Sequence, residues 1–137
     1  MRYMADITYL IDLINNDPGA VKVAEEMDLL GERVGLSVIS VEEYVRGVYY
    51  LYWDDKELLK KKIADAENDL RAFEIIPLTY NIVLKAAEME VSLMKKGEII
   101  SLPDIFIAST AVTNNLILIT RNIKHFKRID DLKIRPY

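Results

Sequence analysis

The chain has 137 residues, half of them apolar, with a net charge of −4, no cysteine and a single histidine, His125. This length and apolar share suffice for one core without staples, so a single domain spanning 1–137 is expected. The lack of cysteine excludes disulfide frameworks and thiolate metal sites, and one histidine excludes a multi-histidine zinc site; any metal would be held by carboxylate, amide, hydroxyl and water oxygens, the ligands of Mg²⁺ or Mn²⁺.

Residues 1–10 carry Arg2 and Asp6 and show no signal-peptide pattern, and no run reaches the ~18 apolar residues of a membrane span, so a cytoplasmic protein without membrane partners is expected. Arg2 to Ala5 reads as a short strand ending at Asp6. Thr8 to Ile14 reads as a helix, broken by Asn15-Asn16-Asp17-Pro18-Gly19. Pro18 and Gly19 open a second helix that Gly31 stops. The β-branched run Val34 to Ile39 predicts a buried strand. A third helix is expected from Ser40 through Leu51, and a fourth, rich in Lys and Glu, over Asp54 to Ala72. Phe73 to Leu78 predicts a strand stopped by Pro77. A long helix through Val83, Ala87, Val91 and Met94 follows, capped at Gly97. Ser101 opens another helix, ended by Asn114-Asn115. Leu116 to Ile119 predicts an apolar strand, Thr120 to Lys124 a polar loop, and Leu132 to Ile134 a last strand. Strands alternating with helices predict an α/β fold whose central parallel sheet is covered on both faces.

Parallel sheets carry their functional groups at the carboxyl ends of their strands. Asp6 ends the first strand. Glu43 stands one helical turn beyond the second. Asp104 opens the helix that feeds Leu116–Ile119, and Thr120-Arg121-Asn122 follows that strand. Grouped carboxylates repel one another unless a cation neutralises them, and a divalent cation can also activate water for attack on a phosphate. Each acid has a capping alternative. Ser40-Val41-Glu42-Glu43 and Ser101-Leu102-Pro103-Asp104 both fit a capping box, and Asp6 can cap the helix near Thr8.

Four segments in order resemble one family. Asp6-Ile7-Thr8-Tyr9-Leu10-Ile11-Asp12 is similar to the opening motif of PIN domains. Ser37-Val38-Ile39-Ser40-Val41-Glu42-Glu43-Tyr44-Val45-Arg46-Gly47 resembles their second motif, Pro103 to Ala111 the third, and Leu118 to Phe126 the fourth. The resemblance spans residues 6 to 126. It implies a three-layer α/β/α sandwich, Mg²⁺ or Mn²⁺ as cofactor, and hydrolytic cleavage of RNA. It places the metal on Asp6, Glu43 and Asp104, with Glu43 preferred over Glu42 because it stands four residues before Gly47. Asn122 joins the catalytic set at a position where many members carry a fourth acid; an amide binds oxygen or water there but adds no charge. Compact members of this length are mostly VapC-like toxins of prokaryotic toxin–antitoxin pairs, which implies a cognate antitoxin as partner and a homodimer.

Other residues have open readings. Thr8 and Thr120 either orient carboxylates or close turns. Arg46 either pairs with a site acid or contacts phosphate, or is an exposed helix arginine. His125 is expected in a surface or half-buried structural role, and Lys60-Lys61-Lys62 on a solvated helix face. Tyr49 to Trp53 cannot all face inward, so part of this stretch is expected at an interface, and the dimer is expected to use apolar surface around Val41 to Trp53 or neighbouring helices. Residues 121–137 carry six Lys/Arg against two Asp, leaving the other 120 residues at −8. Arg121, Lys124, Lys127 and Arg128 lie just beyond the proposed rim and are expected to hold RNA phosphates. The competing classes are a PIN nuclease in RNA processing or acting on DNA structures, a phospho-receiver switch, and a nuclease-dead interaction module. The receiver reading is poor because Ser40, not an Asp, follows Val34–Ile39, and the three acids count against a dead module.

Overall fold

A computed structural model describes residues 1–137. Five three-residue strands alternate with seven helices. The first is β1 (Tyr3–Ala5), followed by α1 (Ile7–Ile14) and α2 (Pro18–Leu30). Next come β2 (Gly35–Ser37), α3 (Val38–Tyr52), α4 (Lys56–Leu70) and β3 (Glu74–Ile76). The chain continues through α5 (Tyr80–Lys95), α6 (Leu102–Thr113) and β4 (Ile117–Ile119), and closes with α7 (Ile123–Phe126) and β5 (Lys133–Arg135).

The strands form one parallel sheet in the order β3-β2-β1-β4-β5. Successive residues on a strand point to opposite faces, and the core divides accordingly. Met4 and Leu118 enter a cluster with Ala86, Met89 and Leu93 of α5 and Ile105, Ala108 and Ala111 of α6. Ala5, Leu36 and Ile119 enter the other, with Tyr9 and Leu10 of α1 and Ala20, Val23 and Met27 of α2. Helices on both faces of the sheet make the expected α/β/α sandwich. Ala5 is in register with Leu36 on one side and Ile119 on the other. Asp6, Ser37 and Thr120 therefore leave the sheet along one edge.

Boundaries differ from expectation in three places. β2 ends at Ser37, and α3 starts at Val38 instead of Ser40. The Ser37 hydroxyl accepts from the Ile39 amide at 3.1 Å, which sets the helix start before the β-branched run is exhausted. Ser40 is thus inside the helix, and the capping box between Ser40 and Glu43 does not form. The expected loop Thr120–Lys124 instead runs into the short helix α7, and β5 sits one residue later than Leu132–Ile134. The glycine stops hold: Gly31 (φ 67°) and Gly97 (φ 71°) take the left-handed conformation that ends α2 and α5.

Candidate active site

Asp6 is buried, with 4% of its surface exposed. One carboxylate oxygen accepts from the Thr8 hydroxyl at 2.6 Å and from the Tyr9 amide at 3.2 Å. The other accepts from the Thr120 hydroxyl at 2.5 Å, across 114 residues of sequence. Asp6 is therefore the N-cap of α1 and a tie to the end of β4 at once, because one oxygen turns to the helix and the other to the neighbouring strand end. Burial pushes its carboxyl up, the threonine hydroxyls and the Tyr9 amide pull it down, and the charge of Asp104 adds to the rise.

Glu43 projects from α3 one and a half turns after β2, and is partly buried. Its Oε1 is enclosed and has no hydrogen-bond partner, as is the hydroxyl of Ser40 one turn earlier. Burial raises its carboxyl, then the charge of Asp104; Arg46 opposes the rise, while Glu42 and Asp6 add to it. Asp104 stands in the first turn of α6, its amide donating to the Ser101 hydroxyl at 3.4 Å. The sign of the mutual effects puts Asp6, Glu43 and Asp104 within electrostatic range of one another. They do not form a closed ligand set, since no three acidic or histidine side chains are drawn together that tightly. Mutual repulsion between bare carboxylates favours such separation.

Thr120 does both things the sequence left open. It donates to Asp6, and it accepts from the Asn122 amide at 2.9 Å, closing the turn after β4. Thr8 likewise orients Asp6. The Asn122 side chain is 3.0 Å from His125 Nδ1, and the same nitrogen is 3.3 Å from Asp104 Oδ2. The two contacts call for opposite roles of one nitrogen: Nδ1 without a hydrogen accepts from Asn122, and Nδ1 carrying one donates to Asp104. His125 is exposed, as expected of a surface residue, and the short helix α7 also brings its ring to Asp104, a contact the sequence did not indicate. Arg46 pairs with Glu42 at 3.2 Å on the exposed face of α3, and its charge also reaches Glu43.

The basic segment is only partly free. Arg121 is 3.4 Å from Asp12, and Arg128 donates from Nε to the His125 carbonyl at 3.3 Å. Arg135 is bound to Glu26 at 2.8 Å. Lys124 and Lys127 stand exposed. Two residues beside the site were missed from sequence. Asp12 is 7% exposed and accepts from the Tyr137 hydroxyl at 2.7 Å. The available signal was a lone acid inside the apolar stretch Leu10-Ile11-Asp12-Leu13-Ile14; nothing local marked Tyr137.

The profile of the PIN domain matches residues 3–132. Ribonuclease VapC2 of Rickettsia felis is 31% identical over 134 residues, covering 96% of this chain and 95% of that protein. A VapC ribonuclease of Pyrococcus furiosus is 32% identical over 126 residues, covering 89% of this chain and 78% of that one. Among solved structures, VapBC2 of Rickettsia felis bound to a promoter DNA fragment superposes with a TM-score of 0.83 at 30% identity, over 100% of this chain and 99% of the matched one.

Proposed function

The chain belongs to the PIN-domain family, and from that premise we propose that it is an endoribonuclease, the toxin of a toxin–antitoxin pair, with Asp6, Glu43 and Asp104 holding a divalent cation. The observation that carries the reading is the state of the three acids. One is buried and held by two threonine hydroxyls, and another keeps an enclosed oxygen without any partner. A buried, unpaired carboxylate oxygen costs free energy unless a cation or donor meets it. Three carboxylates and an amide are hard oxygen donors, so the residues fit Mg²⁺ or Mn²⁺ and not a softer metal. Bound there, such an ion supplies the positive charge that lets three carboxylates share a rim with a phosphate and that polarises water and the phosphodiester.

The chain's own residues prepare that rim. Thr8 and Thr120 lock both oxygens of Asp6, so its orientation does not depend on a ligand. Glu43 and Asp104 come from the starts of two other helices, so each side chain can settle without moving a strand. Asn122 is held at the rim by its amide contact with Thr120, and is placed to bind water or a substrate oxygen. Lys124 and Lys127, with Arg121 and Arg128, supply the attraction for the RNA backbone that an acidic pocket cannot. The cytoplasm, where RNA is met, is the place of action, and the antitoxin is the partner that keeps the site silent. Relatives solved as VapBC complexes support that partner.

The test is cleavage of a labelled RNA by purified protein. Cutting should require Mg²⁺ or Mn²⁺, stop in EDTA and be lost in Asp6→Asn protein whose fold is intact by circular dichroism. Full cleavage by folded Asp6→Asn protein would overturn the site assignment.

A further inference from the structure

We propose that Asp12 and Tyr137 form a buried bracket that holds Arg121 in place as a phosphate-binding group at the rim of the acidic site. The inference rests on the ribonuclease reading and deepens it: it names which cation meets the RNA backbone and what positions it.

Asp12 lies on α1 with only 11% of its side chain exposed, and a single oxygen, Oδ2, takes both contacts. The Tyr137 hydroxyl donates to it at 2.7 Å, and Arg121 Nε approaches it to 3.4 Å. The Tyr137 ring is itself fixed, edge-on against the ring of buried Tyr9 with centroids 5.5 Å apart. Burial and the Asp12 charge raise the Tyr137 hydroxyl well above the ordinary tyrosine range, so it stays a donor. The bracket is therefore a buried carboxylate oxygen that accepts from the Tyr137 hydroxyl and has Arg121 as the one cation paired with it.

Arg121 is not used up by this pairing. Its side chain remains 59% exposed, and its approach to Asp12, at 3.4 Å from Nε, is an ion pair at the outer limit of hydrogen-bond length. More than half of the side chain is therefore open to solvent, and a guanidinium presents its terminal nitrogens as a fork to phosphate oxygens. Position along the chain keeps this cation near the acids. Thr120 donates to Asp6 and Asn122 lies 3.0 Å from His125, whose ring meets Asp104. Thr120 thus meets Asp6 and Arg121 meets Asp12, so the cation is anchored one residue from the tie between β4 and Asp6. A flexible surface arginine loses side-chain entropy when it grips a phosphate; one already held at Nε loses less.

The probe is binding of a fluorescent single-stranded RNA oligonucleotide by anisotropy, on Asp6→Asn protein to suppress cutting, over a range of salt. Arg121→Ala should weaken binding roughly tenfold or more and lower the salt slope by about one. Asp12→Asn should weaken it by a similar factor, and the Asp12→Asn/Arg121→Ala double variant should be no worse than Arg121→Ala alone. Tyr137→Phe, which removes only the hydroxyl, should give a smaller loss in the same direction, and serves if Asp12→Asn unfolds. In the cleavage-competent protein the same variants should raise KM more than they lower kcat. RNA affinity and salt slope unchanged in folded Arg121→Ala protein would overturn the proposal and leave a structural clasp. Unchanged affinity in both Asp12→Asn and Tyr137→Phe would remove the bracket. Failure of the unsubstituted protein to bind or cut RNA would instead bring down the ribonuclease reading itself.

Discussion

Asp6 shows how one carboxylate can be both a helix cap and a candidate ligand. Its two oxygens face different elements, and both are tied by threonine hydroxyls. The tie to Thr120 is the stronger lever on stability. Thr120→Val would leave a buried carboxylate oxygen and the Asn122 amide without their partner, and should destabilise the protein by about 1–3 kcal/mol in urea unfolding. The pH dependence follows from the raised carboxyls of Asp6 and Glu43. A carboxyl raised in the folded state binds its proton more tightly there than in the unfolded chain. The stability it contributes is complete below the ordinary carboxyl range and is lost as pH rises through the raised value. In EDTA, melting temperature should therefore fall as pH rises from the ordinary carboxyl range towards neutrality more in the unsubstituted protein than in Asp6→Asn, which should melt a few degrees higher at neutral pH (roughly 2–4 °C per kcal/mol). Mn²⁺ should reverse the order, because only the full carboxylate set binds it well. Parallel melting curves with and without Mn²⁺ would remove the metal from this site.

The start of α3 decides where Glu43 points. Ser37, and not Ser40, gives its hydroxyl to the first free amide, while the Ser40 hydroxyl is buried without a partner. Ser37→Ala should cost about 1 kcal/mol, the usual worth of an N-cap. Ser40→Ala should stay within about 0.5 kcal/mol of the unsubstituted protein or exceed it, because no hydrogen bond is lost. A stability loss in Ser40→Ala equal to that of Ser37→Ala would restore the capping box. The left-handed turn at Gly31 gives a parallel case at the end of α2. A Cβ there meets nothing within 4 Å, so any cost of Gly31→Ala is conformational alone, and should be about 1 kcal/mol by thermal or urea melts.

At the scale of the molecule, charge and apolar surface are unevenly spread. Lys124 and Lys127 stand exposed just beyond the site, while Arg135 and Lys96 are consumed by Glu26 and Asp130. Reversing Lys124, Lys127 and Arg128 to Glu should reduce RNA affinity and flatten its salt dependence, with Mn²⁺ binding retained by calorimetry. An unchanged salt slope would reduce the segment to a solubilising role. The far end of α3 exposes Tyr50 (85%), Leu51 (72%) and Trp53 (58%), more apolar surface than one short helix end needs. We expect this face or its neighbours to pair two copies, and light scattering at high micromolar concentration should give twice the chain mass; a monomer there would remove the homodimer.

The sequence by itself determined the alternation of strands and helices, the three acids and the order of the motifs. These are local properties: an apolar run of the right length, a glycine after a helix, an acid after a strand each act within a few residues. Val34 to Ile39 marks the limit of that reading. Its β-branched residues Val34, Val38 and Ile39 suit a strand, yet the strand lies between them and stops where its sheet partners stop, at Leu36 beside Ala5 and Ser37 beside Ile76. Only the tertiary structure decided that Thr120 meets Asp6, that His125 reaches Asp104, and that Asp12 gathers Tyr137 and Arg121. Those pairs are separated by 114, 21 and, in the last case, 125 and 109 positions. Thr120 reaches Asp6 and Arg121 reaches Asp12 because β1 and β4 lie side by side in register, and β5 beside β4 brings in Tyr137; no local pattern of residues encodes that neighbourhood across the sheet.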